Sequence, residues 1–178
     1  NGNKIMTTGG GGAIATDDPQ LARRAKHLTT TAKVPHRWEF KHDSIGFNYR
    51  MPNLNAALGC AQLERLKGFL DNKRMLAASY REAFKQVEGV RFIVEPEYAK
   101  SNYWLNTLLL DESAEDSRDH LLTLTNDLGI MTRPVWALMH SLEIYAHCPK
   151  MDDLKASESL ERRLINIPSS PFLVGSDA

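Results

Sequence analysis

The sequence predicts a mixed chain, α/β in its first part and α+β in its second, and three observations carry that expectation. Apolar residues recur at helical spacing from Leu54 to Val87. After Gly89, short apolar strand candidates alternate with helical patterns. Before Leu54, a four-glycine run separates two short apolar-to-polar segments.

In chain order, Ile5–Thr8 and Ala13–Thr16 flank Gly9-Gly10-Gly11-Gly12 and are expected to form a hairpin around a permissive turn. Asp18 followed by Pro19 is an N-cap with proline at the first helical position, and Leu21, Ala25 and Leu28 mark the expected buried stripe. Periodicity is lost from Thr29 to Ser44. Pro35, His36, Arg37, Trp38, Phe40 and His42 make that stretch an aromatic and basic loop, suited to a ligand or a neighbouring chain. Pro52-Asn53 opens a longer helix with Leu54, Ala57, Leu58 and Ala61 on one face. A break is expected near Asp71-Asn72, and a second helix runs on through Leu76, Tyr80, Phe84 and Val87. Val90–Val94 and Tyr103–Leu110 read as strands. Ser117 caps a helix that stops at Gly129, and Ile130–Val135 is a strand that Pro134 places at an edge or an end. Asp153 caps a last helix through Leu164, and Ile165-Asn166-Ile167-Pro168 ends the ordered pattern. The expected division is 1–52 and 53–178.

Acidic and basic residues balance at 22 each, so charge offers no case for a nucleic-acid or membrane surface. Two distant cysteines make no disulfide framework, and a reducing, cytoplasmic setting is expected. His140, His147 and Cys148 match no zinc spacing, so no metal site is expected. Cys60, beside Ala57 and Ala61, reads as small packing. The chain has no initiator Met and opens on Asn1-Gly2-Asn3-Lys4, which reads as a piece of a longer protein.

Lys4 alone is a lysine before a glycine-rich turn. A phosphate-binding P-loop places its lysine after the glycines, so that motif does not apply. Taken together, Asn3, Lys4, Thr7, Gly9, Gly11 and Gly12 resemble the segment around the cofactor lysine of the DegT/DnrJ/EryC1/StrS aminotransferases, with Gly10 where the family more often has Glu. Gly46, Asn48 and Arg50, followed by Ala56, Gly59 and Gln62-Leu63, resemble a second signature of the same family in the same order. Arg133, Trp136 and His140 resemble a segment beside its sugar-nucleotide pocket. Trp136 looks closest to the bacillosamine and legionaminic-acid branch, and the resemblance extends from Asn3 to about Pro171.

The resemblance implies the C-terminal part of a fold-type I transferase: the end of the cofactor-binding large domain, then long helices and a small α+β domain. It implies pyridoxal 5'-phosphate carried on Lys4, because this chemistry needs an amine that can be deprotonated, and lysine's pKa falls readily on burial. Asn48, with Arg50 as helper, would reach the cofactor phosphate of a partner subunit in a homodimer with shared sites. His42 would either wall the site or hold its loop. Arg133, Trp136 and His140 would meet a 4-keto-6-deoxy nucleotide sugar, with an amino acid, glutamate foremost, as the donor. Groups facing the cofactor ring lie upstream of the lysine in relatives, so this piece alone is expected to be inactive. Two other readings stay open: a non-catalytic oligomerisation domain, favoured by the long helices, and a sugar dehydratase, which Lys4 opposes because that branch carries histidine there.

Overall fold

The computed structural model describes residues 1–151 and 153–174. They fall into two compact units that divide between Leu66 and Lys67.

In the first unit, helix α1 spans Pro19–Thr29. Its start is locally encoded: the Asp18 carboxylate accepts from the N–H groups of Gln20 and Leu21 at 2.7 and 3.2 Å, and proline fills the first turn, where no intrahelical N–H is needed. The expected stripe is only partly covered, with Ala25 and Leu28 half-buried and Leu21 exposed. The Thr29–Ser44 stretch is more ordered than its composition suggests. It holds a short antiparallel ribbon of β1 (Lys33–Val34) and β2 (Lys41–His42). The ribbon is entered through Thr31 and Ala32, both left-handed at φ 68° and 50°. Ala32 is fully buried.

The expected hairpin at Ile5–Thr8 and Ala13–Thr16 does not form, since neither run is a strand. Side chains take the places of cross-strand partners there. Thr7 Oγ1 accepts from the Gly9 N–H at 2.9 Å, Thr8 Oγ1 donates to the Gly10 carbonyl at 2.9 Å, and the Thr8 carbonyl accepts from Asn55.

Helix α2 runs without interruption over Asn53–Ala83, and the break expected at Asp71-Asn72 is absent. Asp71 is held one turn from Lys67, whose ammonium lies 2.6 Å from its carboxylate, and neither residue at the expected break forbids helical dihedrals as proline would. The periodic pattern beyond Ala83 continues as turns and not as helix. Leu54, Ala57, Leu58 and Ala61 are exposed, and so is Cys60, contrary to the packing roles expected of them.

The second unit is built on a four-stranded antiparallel sheet of β3 (Val90–Phe92), β4 (Asn106–Leu110), β5 (Arg133–Pro134) and β6 (Leu164–Ile167), in the spatial order β3-β4-β6-β5. β3, β4 and β5 occupy parts of the runs expected as strands, and Pro134 does lie in an edge strand. β6 corrects the sequence reading: Leu164–Ile167 is a central strand paired on both sides. Thr107 donates to the Asn166 side chain at 2.8 Å, which satisfies the polar residue that interrupts the apolar run. Helix α3 (Arg118–Asp127) grows out of a 3-10 turn over Glu112–Ser117, so Ser117 is already helical and makes no side-chain cap. Gly129, at φ 79°, follows its end. Helix α4 spans Lys155–Arg163, with Asp153 accepting from the Lys155 N–H at 2.9 Å. The core joins Ala77 of α2 to Phe92, Leu108, Leu110, Ile165 and Ile167, with Tyr80 and Leu121 packed against it.

Two polar groups are anchored in this unit. Lys73, only 4% exposed, donates to the Ser169 carbonyl, and burial pushes its ammonium pKa down. Arg74 grips Glu95 with both terminal nitrogens, and Glu95 also accepts from the Ser101 N–H at 2.5 Å. The Arg74 hydrogen bond first and the Ser101 N–H second hold the Glu95 carboxyl down at about 2, from its ordinary 4.5. Because the folded-state value is depressed, this stabilisation is complete above pH 4.5 and is lost as pH falls toward 2. The thermal midpoint of Glu95→Gln is therefore expected to fall less steeply over that acid range than that of the parent chain. Parallel slopes would show that the pair contributes nothing to acid stability.

Candidate functional site

The two sequence signatures of the first unit meet through one face of α2. Asn55 Nδ2 donates to the Thr8 carbonyl at 2.5 Å, and Gln62 Oε1 accepts from the Thr7 N–H at 3.4 Å. Gly59 lies between them, where an added Cβ would stand 2.9 Å from the Thr8 methyl. Positions 55, 59 and 62 follow the i, i+4, i+7 rhythm of one helix face. A helix that carries an amide, a glycine and an amide on that face can seat an irregular segment close to its axis. The segment seated is the one that carries Lys4. Sequence reasoning passed over Asn55. An asparagine one turn into a helix, on the face of a glycine and a glutamine, was the signal available.

Lys4 itself is exposed, and its N–H donates to the Asn1 carbonyl at 3.4 Å. The glycine run borders an open cleft of about 980 Å³, whose wall includes Gly10, Gly11, Gly12, Lys26, Arg50 and Asn55. Gly11 has φ 133°, a conformation that a side chain would strain, so glycine lets the loop pass beside Met51 there. Arg50 is thus on the cleft wall, whereas Lys4, His42 and Asn48 are not among the residues that line it.

Asn48 sits where residues 47–49 dock beside the end of α1. The Phe47 and Tyr49 N–H groups donate to the Leu28 and Thr29 carbonyls at 2.7 and 2.9 Å, and Asn48 bridges Thr30. Its side chain is exposed, and its chain neighbours Phe47 and Tyr49 stack on one another. Gly46 makes this docking possible, since its backbone lies directly against Thr31 and Ala32. His42 has Nδ1 2.7 Å from the Thr31 carbonyl and so fastens the ribbon to its left-handed entry. A second histidine does the same on the helix side, with His27 Nε2 2.6 Å from Asp43. That contact holds the Asp43 carboxyl below its usual range.

Arg133, Trp136 and His140 belong to the second unit. Arg133 is exposed on the edge strand, and one terminal nitrogen donates at 2.7 Å to both Asn126 Oδ1 and the Thr132 carbonyl. His140 Nε2 lies 3.0 Å from Glu158. Trp136 is 68% exposed and stacks on Trp104, a residue that the sequence reading did not single out.

All 178 residues match the sequence profile described as the DegT/DnrJ/EryC1/StrS aminotransferase family. The chain belongs to that family. Among curated relatives of the family, it is 36% identical over 179 residues to the GDP-perosamine synthase of Caulobacter vibrioides, covering 99% of this chain and 47% of that protein. Among solved structures, it superposes on the sugar aminotransferase CalS13 from Micromonospora echinospora with a TM-score of 0.80 at 21% identity, over 97% of this chain and 46% of that one. It also superposes on DesI, determined in the presence of its TDP-sugar product, with a TM-score of 0.79 at 25% identity, over 97% and 43% of the two chains. The chain therefore spans about half the length of the curated relatives it matches, and its fold is part of the fold-type I aminotransferase architecture.

Pyridoxal phosphate is the cofactor of this family, and the cleft suits its phosphate. Lys26 and Arg50 stand on its wall and supply positive charge that a phosphate can meet. No cluster of metal-binding side chains occurs among the described residues. Nor is any of their helices long and apolar enough to cross a membrane.

Proposed function

We propose that the protein carrying this chain is a pyridoxal-phosphate-dependent aminotransferase that transfers an amino group from an amino acid, glutamate foremost, to a 4-keto-6-deoxy nucleotide sugar. The observation that carries this reading is the seating of the Lys4 segment: Thr7 and Thr8 rest on Asn55, Gly59 and Gln62, so both family signatures build one local structure. When bound, the cofactor supplies the electron sink for the reaction. Lys4 would hold it covalently through Nζ, and as a free amine would move the proton at the substrate carbon.

Asn48 contributes a neutral donor, and Arg50 as its helper a fixed charge, to the cofactor phosphate of the partner subunit. The exposed apolar side chains of Ile45, Leu54 and Leu58 support a homodimer, because exposed apolar surface favours association. In this reading residues 1–52 close the cofactor-binding domain and 53–178 make the long helix and small domain. His42 holds the ribbon that walls the site. Arg133, Trp136 and His140 meet the nucleotide sugar, and Trp136 points to the bacillosamine and legionaminic-acid type of substrate. Taken alone, the chain has the anchor without the ring-facing groups and is proposed to be inactive.

Subunit mixing tests the composite site. Lys4→Ala and Asn48→Ala proteins, each impaired, are expected to regain activity when their subunits exchange, because one site of every mixed dimer then holds both native residues. Random pairing sets the recovered activity at about a quarter of the parent level, one active site in each of half the dimers. No recovery despite demonstrated exchange would place Asn48 outside the partner's site.

A further inference from the structure

We propose that Trp104 is a positioning residue for the sugar nucleotide: it fixes the plane of Trp136 so that the outer face of that ring receives the hexopyranose. This rests on the reading above, in which Trp136 meets the substrate. Three observations lead to it. The two indoles stack with centroids 5.9 Å apart and planes 23° from parallel, and yet Trp136 remains 68% exposed. A tryptophan that open beside a sheet edge is not core, and among the described residues the ring it stacks on is Trp104.

The backbone beside Trp104 is unusual. Tyr103 has φ 45°, a left-handed conformation that a bulky residue adopts at a cost. Its neighbours over-determine it. Its ring stacks on Phe92 and faces the Arg74 guanidinium 5.5 Å away, its hydroxyl accepts from the Glu95 N–H at 3.2 Å, and its N–H donates to Ser101 Oγ at 3.0 Å. Trp104 is then pinned in turn, its N–H donating to Asn102 Oδ1 at 2.9 Å. Consecutive aromatic residues are thus sent to different places, Tyr103 to the Phe92 stack and Trp104 to the Trp136 stack. Core packing needs only the first. The bend earns its strain by delivering an indole to an exposed partner, and a rigid flat apolar face at a polar edge matches the apolar face of a pyranose.

The test uses the full-length protein with GDP, dTDP and UDP beside GDP-mannose, dTDP-glucose and UDP-N-acetylglucosamine as probes, with binding measured by calorimetry for the nucleotide that binds. Trp104→Leu is expected to weaken the sugar nucleotide about two- to tenfold, the value of one aromatic stacking contact, and to leave the bare nucleotide unchanged. Trp104→Phe should restore most of the loss, and Trp136→Leu should weaken the sugar nucleotide at least as much. Circular dichroism supplies an independent readout: the exciton signal of the stacked indoles should vanish in both leucine variants and survive Trp38→Leu. Loss in Trp136→Leu without loss in Trp104→Leu overturns the positioning role alone. Equal weakening of nucleotide and sugar nucleotide overturns the assignment to the pyranose. No effect of either tryptophan, or no binding of any probe by the parent protein, overturns the underlying reading of Trp136.

Discussion

Lys4→Ala is expected to lower amino transfer by about 10²–10⁴-fold or more, the usual contribution of a positioned proton-transfer group, to which loss of the covalent anchor is added. The same experiment has a chemical arm. Borohydride reduction of the full-length protein, followed by peptide mapping, should leave the pyridoxyl group on Lys4 and on no other lysine. Activity within about tenfold of the parent, or a label elsewhere, would remove Lys4 from the reaction.

Gly46→Ala should be the most damaging small substitution in the first unit. An added Cβ would stand 2.5 Å from both the Ala32 nitrogen and the Thr31 carbonyl carbon, and 2.9 Å from the Ala32 Cβ. The first two are backbone atoms of left-handed residues, Ala32 is fully buried, and none of the three has a rotamer into which to retreat. Overpacking of this kind costs about 1–3 kcal/mol, and the absence of a movable neighbour puts Gly46 at the upper end. Hydrogen exchange is the direct measurement. Protection of the Phe47 and Tyr49 amides, which donate to Leu28 and Thr29, should fall sharply while the second unit keeps its protection. Unchanged exchange at both amides would mean that the segment can move aside.

What could be read from the sequence was what local chemistry decides. Asp18-Pro19 specifies a helix start through bonds spanning two and three residues, and it forms as expected. The glycine at 129 and the edge proline at 134 likewise act where they stand. The errors arose where distant partners decide. Leu164–Ile167 is short, broken by an asparagine and followed by proline, and only pairing with β4 and β5 makes it a central strand. Ile5–Thr8 had strand-like composition, but its bonds go to a helix 47 and 55 residues away. Asp71-Asn72 looked like a stop because both residues are weak helix formers, a penalty of tenths of a kcal/mol that a long packed helix absorbs. For the site, the signatures pointed to Lys4, Asn48 and Arg50 by resemblance. The roles of Asn55 and Trp104 emerge only from pairings that no local pattern announces.

The seating of Thr7 and Thr8 on α2 bears on any attempt to recombine this enzyme family. A crossover placed between the glycine run and the helix would join a loop from one parent to a docking face from another. Residues 55, 59 and 62 would then meet threonines, or their replacements, with which they had never shared a chain. Grafts that keep residues 3–12 and 53–62 from the same parent preserve the pairing even though some forty residues of ribbon and helix between them are exchanged. The ribbon can thus be treated as a replaceable cassette, and the lysine loop and the start of α2 as a single inherited part.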